Sequence, residues 1–151
     1  MKGATLCFVI RGDEILMINR NKPPFMGLWN AVGGHIENGE TPVQSAIREI
    51  KEESGITVTD VELQSVFTWN YDDETGYVFT AKLDDVGYDG IIKNDSAGIT
   101  AFKKIDWVIH PKNYGVVEDL KVFIKDIRRG EKHNYHMVYK DKTLVDVILK
   151  D

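Results

Sequence analysis

Glu49, Glu52 and Glu53 crowd into one short stretch behind the glycines Gly33, Gly34 and Gly39. Carboxylates three and four residues apart share one side of a helix and repel each other there. Near a helix C-terminus the macrodipole adds an unfavourable contribution of roughly 0.3–1 kcal/mol each. Arg48 cannot offset three such charges by itself. Hard divalent cations such as magnesium take oxygen ligands and are shared between carboxylates and substrate phosphates, so the chemistry indicated is metal-assisted reaction at a phosphate. A solvated charged face is the plainer reading of the triplet alone. The glycines before it shift the balance, because they let the backbone approach a ligand closely. Arg48 and Glu40 are also placed to pair and tie that loop to the helix.

The element that must position these residues is punctuated at both ends. Thr41 suits an N-cap, Pro42 the first helical position and Gly55 a left-handed exit, which predicts a helix over 42–54. Val43, Ala46, Ile47 and Ile50 recur at helical steps and form the expected buried stripe, with the three glutamates on another face.

Gly34, five residues, Glu40, seven residues and then Arg48-Glu49-Ile50-Lys51-Glu52-Glu53-Ser54-Gly55-Ile56 resembles the complete Nudix box of the Nudix hydrolases at every fixed position. The resemblance implies an α/β fold, an α/β/α sandwich with a mixed β-sheet, as a single domain over 1–151. It also implies an enzyme that cleaves a nucleoside diphosphate linked to another moiety with magnesium or manganese, water attacking phosphorus. Carried onto this chain, it makes Glu49, Glu52, Glu53 and the Gly33 carbonyl metal ligands, and it gives Gly34, Glu40, Arg48 and Gly55 structural roles. Either Glu52 or Glu49 would orient or deprotonate the water. MutT-like members usually carry a further acidic residue before the penultimate strand, where this chain reads Asn94-Asp95-Ser96-Ala97-Gly98-Ile99. Ser96 aligns with that position. Asp95 substitutes by a small shift, water alone holds an additional metal, or Asp95 is simply a turn residue.

Substrate choice must come from outside the box. Trp29-Asn30 looks like the Trp-Asn of mammalian enzymes that hydrolyse oxidised purine nucleoside triphosphates, and Pro111-Lys112-Asn113 resembles the Pro-Ala-Asn of bacterial MutT. An Asn amide offers a donor and an acceptor to a purine edge. Equally, Asn30 can satisfy backbone groups at a strand end and Asn113 can cap a helix. The paired aspartates of the mammalian enzymes are missing near Asn113, where Lys112 intervenes. Arg20 stands where MutT-like relatives place a phosphate-binding Arg. Phe25 either stacks on a base or anchors its loop, and His35, at a position often Lys or Arg in relatives, would make a phosphate contact pH-dependent. The expected activity is that of a MutT-like diphosphatase acting on a purine or oxidised purine nucleotide such as 8-oxo-dGTP, releasing nucleoside monophosphate and pyrophosphate. The alternatives are a dinucleoside polyphosphate hydrolase, since Tyr71 falls near a tyrosine those members carry, and a nucleotide-sensing module without turnover.

The chain has 151 residues, 42% of them hydrophobic, enough for one core, and a formal charge of −5. That charge argues against a nucleic-acid polymer as partner and for a small nucleotide held by local cations and metal. Cys7 is the sole cysteine, which excludes an intrachain disulfide and a zinc ribbon. No leader and no apolar run of membrane length are read, so the expectation is a cytoplasmic protein without membrane contact, monomeric or homodimeric.

The runs 4–10 and 14–19 read as strands around an Arg11-Gly12-Asp13 turn, 28–32 leads into the glycine turn, and further strands are expected near 61–68 and 76–83. The stretch 84–98 reads as a long loop and 99–108 as a returning strand. Val116, Val117, Leu120, Phe123, Ile124 and Ile127 give a second helical stripe closed by Gly130. A terminal hairpin is expected from 135–139 and 144–149.

Overall fold

Strand alternation sends the apolar side chains of the central strands to two opposite cores. In β1 (Gly3–Arg11) Phe8 joins one core while Cys7 and Val9 join the other. In β2 (Glu14–Arg20) Ile15 and Met17 face the first core and Leu16 and Ile18 the second, and β3 (Trp29–His35) divides Ala31 from Val32 in the same way. Strands buried on both faces need a covering layer on each. Helix α1 (Pro42–Ser54) supplies one with Ala46 and Ile50, and α3 (Leu120–Arg129) the other with Leu120, Phe123 and Ile124.

The computed structural model describes residues 3–23, 25–84 and 91–151. It adds strands β4 (Glu62–Trp69), β5 (Thr75–Lys82), β6 (Ile91–Asp95), β7 (Gly98–Lys104), β8 (Tyr135–Lys140) and β9 (Thr143–Leu149), and a short helix α2 (Ile105–Val108) between β7 and α3. Among the described residues the nine strands form one sheet in the order β6-β7-β2-β3-β1-β5-β4-β8-β9. The pairs β1–β5 and β4–β8 are parallel and the remaining neighbours antiparallel, so the sheet is mixed. The expected α/β/α sandwich is the fold observed. No helix of the described residues is long and apolar enough to cross a membrane.

Four expectations need correction. Within the predicted 84–98 loop, β6 pairs with β7 from Asp95↔Gly98 to Ile91↔Ala101; its polar composition hid it, and its partner β7 is itself held by β2. Residues 85–90 of that predicted loop lie outside the described residues. The predicted 99–108 strand stops at Lys104, because Ile105 and Val108, a helical step apart, pack on the core from α2, with Ile109 packing just beyond its end. The second helix starts at Leu120. Val116 and Val117 are buried ahead of it in extended chain, with the Val117 N–H donating to the Trp29 carbonyl. Finally, Val43 is 43% exposed and leaves the expected stripe, of which Ala46 and Ile50 are buried and Ile47 partly so, with Ser45 and Ser54 joining the buried side of α1.

Candidate active site

Helix α1 is held at both ends as its sequence demands. The Thr41 hydroxyl accepts from the Gln44 N–H at 3.1 Å while the Gln44 side chain accepts from the Thr41 N–H at 2.9 Å, a reciprocal capping box. Gly55 leaves the helix at φ 79°, its N–H donating to the Lys51 carbonyl. This fixes the turn that carries the glutamates.

Arg48 organises the neighbourhood. Its guanidinium donates to both oxygens of Glu40, to the His35 carbonyl at 3.1 Å, to Glu49 Oε1 at 2.9 Å and to Glu52 Oε2 at 3.1 Å. One planar fork therefore ties the loop to two of the three glutamates. The third, Glu53, is partly buried and accepts from the Gly33 N–H at 2.9 Å. Burial pushes its carboxyl up to about 7 against the pull of that N–H, and neighbouring Glu49 pushes the same way.

The two glycines are there for space. A Cβ on Gly33 would lie 2.0 Å from the Thr5 carbonyl oxygen, and one on Gly34 would lie 2.5 Å from Glu49 Oε1. The loop thus passes directly beneath the carboxylates. On the other side, the β6–β7 hairpin grips the end of the helix: Lys93 Nζ donates to the Glu52 carbonyl at 2.5 Å and the buried Thr100 hydroxyl to the Glu53 carbonyl at 3.0 Å. Lys93 also pairs with Asp95 at 3.2 Å, and the Ala97 N–H, together with Lys93, holds the Asp95 carboxyl below its usual range.

These groups line an open groove of about 460 Å³, in which Glu49, Glu52, Glu53 and Asp95 stand with Arg20, Gly33 and His35. The groove shares Arg20, Gly33, Gly34, His35 and Glu53 with a second cleft of about 210 Å³. Phe25, Asn30, Phe67, Trp69, Tyr71 and Asp119 form the walls of that cleft. Trp69 and Tyr71 stack there with ring centroids 5.5 Å apart. Burial raises the Asp119 carboxyl to about 6, the nearby Tyr139 hydroxyl pulling the other way.

Asn30 lines this cleft, its Oδ1 accepting from the Ala31 N–H at 2.9 Å. Asn113 does not. Its amide donates to the Trp107 carbonyl at 2.8 Å and accepts from the Gly115 N–H at 3.1 Å, and it faces a separate cavity of about 420 Å³. Phe25 borders both cavities in a left-handed conformation, φ 63°. The His35 side chain is exposed and stands 3.5 Å from Glu74. Lys93, Thr100 and Asp119 went unread in the sequence. Lys93 and Thr100 lie on the unrecognised hairpin or its partner. Glu118-Asp119, just ahead of an apolar stripe, offered the only trace of a buried acid. A further group, Asp126, Glu131 and His133, meets where α3 gives way to β8, with His133 paired to Asp151 and Glu131.

A NUDIX domain model matches residues 1–111. The ADP-ribose pyrophosphatase of Methanocaldococcus jannaschii is 36% identical over 70 residues, which cover 46% of this chain and 41% of that protein. The oxidized purine nucleoside triphosphate hydrolase of Danio rerio is 41% identical over 54 residues, 36% of this chain and 35% of that protein. The matched stretch spans less than half of these curated relatives. Among solved structures, a MutT protein from Bacillus halodurans superposes with a TM-score of 0.80 at 25% identity, covering 99% of this chain and 98% of that one. The residues that the fold draws around the acidic groove thus lie within the span of the family model, and the chain belongs to the Nudix family.

Proposed function

We propose that the protein is a divalent-metal-dependent hydrolase of purine nucleoside triphosphates, oxidised purines such as 8-oxo-dGTP among them, releasing nucleoside monophosphate and pyrophosphate. The observation that carries this reading is the continuity of the two depressions. An acidic groove with Arg20 at its edge opens into an aromatic cleft bearing Asn30 and Asp119. One end suits metal-bound phosphates and the other a base.

The donor set fits a hard cation. Glu49, Glu52 and Glu53 offer carboxylate oxygens, Gly33 adds a backbone carbonyl, and the Glu53 carboxyl, raised first by burial and then by neighbouring Glu49, is one that a cation would stabilise in its charged form. Magnesium or manganese bound there would neutralise phosphate oxygens and lower the pKa of a bound water. The protein's own groups then divide the work. Glu49, 14% exposed and pinned against Gly34 by Arg48, is built to hold a fixed position. Glu52, 58% exposed and held among the described side chains by Arg48 alone, is placed to orient the water and take its proton as the new O–P bond forms and an anhydride P–O bond breaks. Arg20 meets phosphate oxygens between groove and cleft. Trp69 and Tyr71 offer a stacking wall. Asn30 retains its amide donors, and Asp119, raised to about 6, exchanges between donor and acceptor forms near neutral pH. The substrate class that names the Danio rerio relative agrees with this reading.

Phosphate and pyrophosphate release with magnesium or manganese tests the reading across dGTP, 8-oxo-dGTP, diadenosine polyphosphates and ADP-ribose. A kcat/KM preference for the purine triphosphates, with the 8-oxo-dGTP preference reduced in Asn30→Ala, is expected. Preference for ADP-ribose or a dinucleoside polyphosphate would overturn the substrate class, and nucleotide binding without turnover would indicate a sensor.

A further inference from the structure

Strand β9 closes the sheet, and among the described residues its outer side meets no other strand. The Lys150 N–H donates to the Asn134 carbonyl at 2.8 Å, and Ile148 and Asp146 stand opposite His136 and Val138. Backbone groups alternate along a strand, so residues 146, 148 and 150 face β8 while Val147 and Leu149 turn their N–H and C=O groups outward. The edge is also apolar: Val145 is 55% exposed, Ile148 40% and Leu149 57%. Such an edge is a template for another strand.

The charges on this edge identify which strand fits. Asp146 and Lys150 lie two residues to either side of Ile148, on its face of the sheet. We propose that two copies of the chain pair β9 with β9, antiparallel, about a two-fold axis at Ile148. In that register Ile148 meets Ile148, Asp146 of each copy meets Lys150 of the other, and Val147 and Leu149 exchange hydrogen bonds across the axis. A two-fold interface must be self-complementary, and neighbouring registers are not. Centring on Asp146 sets like charges opposite each other, which is destabilising. Centring on Val147 puts Asp146 against Ile148 and Lys150 against Leu144. A shift of one residue in the pairing would place the two copies' side chains on opposite faces.

In the single chain, Asp146 Oδ1 accepts from the outward Val147 N–H at 2.9 Å. This local bond shields the edge, and pairing replaces it with an interchain bond while releasing the carboxylate to Lys150. The dimer is therefore reversible and weakened by salt.

Sedimentation velocity of the full chain over a concentration series is the test. The wild type shifts from 17.2 kDa toward twice that mass as concentration rises. Asp146→Lys and Lys150→Asp each remain monomeric because each faces its own charge across the axis, and an equimolar mixture of the two forms a heterodimer. Val147→Pro removes an outward donor and no bond to β8, so it is monomeric with an unchanged circular dichroism spectrum. A wild type that stays monomeric throughout, or a dimer indifferent to both charge reversals, would overturn the proposal.

Discussion

Arg48 and Glu40 are joined at two points, Nε to Oε2 at 2.6 Å and Nη2 to Oε1 at 2.9 Å. The pairing holds the Glu40 carboxyl below its ordinary range and aims the remaining guanidinium donor at Glu49 and Glu52. Arg48→Lys keeps the charge but loses the fork. Outer groups that orient metal ligands typically contribute about 10–100-fold, and a loss of that order in kcat/KM is expected, with a higher metal concentration for half-maximal rate. Unchanged metal dependence would remove Arg48 from this role.

Gly34→Ala and Gly33→Ala should fail in different ways. The added methyl at 34 meets the far end of a side chain, Glu49, which can swing aside. Metal binding measured by calorimetry should weaken while the thermal midpoint stays nearly constant. At 33 the methyl meets the Thr5 backbone in the centre of the sheet. Overpacking of that kind costs about 1–3 kcal/mol, read as a lower urea midpoint.

Thr100→Val keeps the shape of a side chain that is 1% exposed but strands the Glu53 carbonyl. Leaving a buried acceptor unpaired costs about 1–3 kcal/mol. The stability loss should be accompanied by reduced turnover, because the carbonyl belongs to a glutamate of the acidic turn; Thr100→Ser should retain both.

His133 gives the protein a pH-dependent strap. Asp151 first and Glu131 second raise its imidazolium to about 9 from the ordinary histidine value of 6.5. A raised folded-state pKa means the folded state binds the proton more tightly, so this contribution is fully present below about pH 6.5 and lost as pH rises through about 9. Thermal midpoints should fall over that window in the wild type. His133→Gln should flatten the decline, and an equal decline in that variant would exclude the strap.

Asn30→Ala and Asn113→Ala separate recognition from architecture. Asn30 lines the cleft, and its loss should change discrimination between oxidised and ordinary purine triphosphates. Asn113 has both sides of its amide committed to Trp107 and Gly115. Its replacement should cost about 1 kcal/mol of stability, in line with a typical hydrogen bond, and leave the discrimination ratio unchanged.

Local chemistry made much of this legible. Thr41, Pro42 and Gly55 delimited α1 to the residue, because capping acts within one turn. The strand over 4–10 was readable from its apolar run, and the fixed period of side-chain direction along it sends Phe8 to one core and Cys7 and Val9 to the other. The box placed Glu40, Arg48 and the three glutamates together, since all but Glu40 lie on one short helix.

What lay beyond that range was settled by the sheet. β6 has little apolar pattern of its own and exists through its pairing with β7, which brings Lys93, Asp95 and Thr100 to the end of α1. Asp119 drew no reading from the sequence, and it is a buried acid because Tyr139 of β8 and the Trp69–Tyr71 pair close around it. Asn30 and Asn113 carry the same amide, yet one enters the cleft and the other is spent on a turn. Side-chain type and near-neighbour spacing are written in the sequence. Which distant groups share a groove depends on strand order and register, and those were decided by long-range burial on both faces of one mixed sheet.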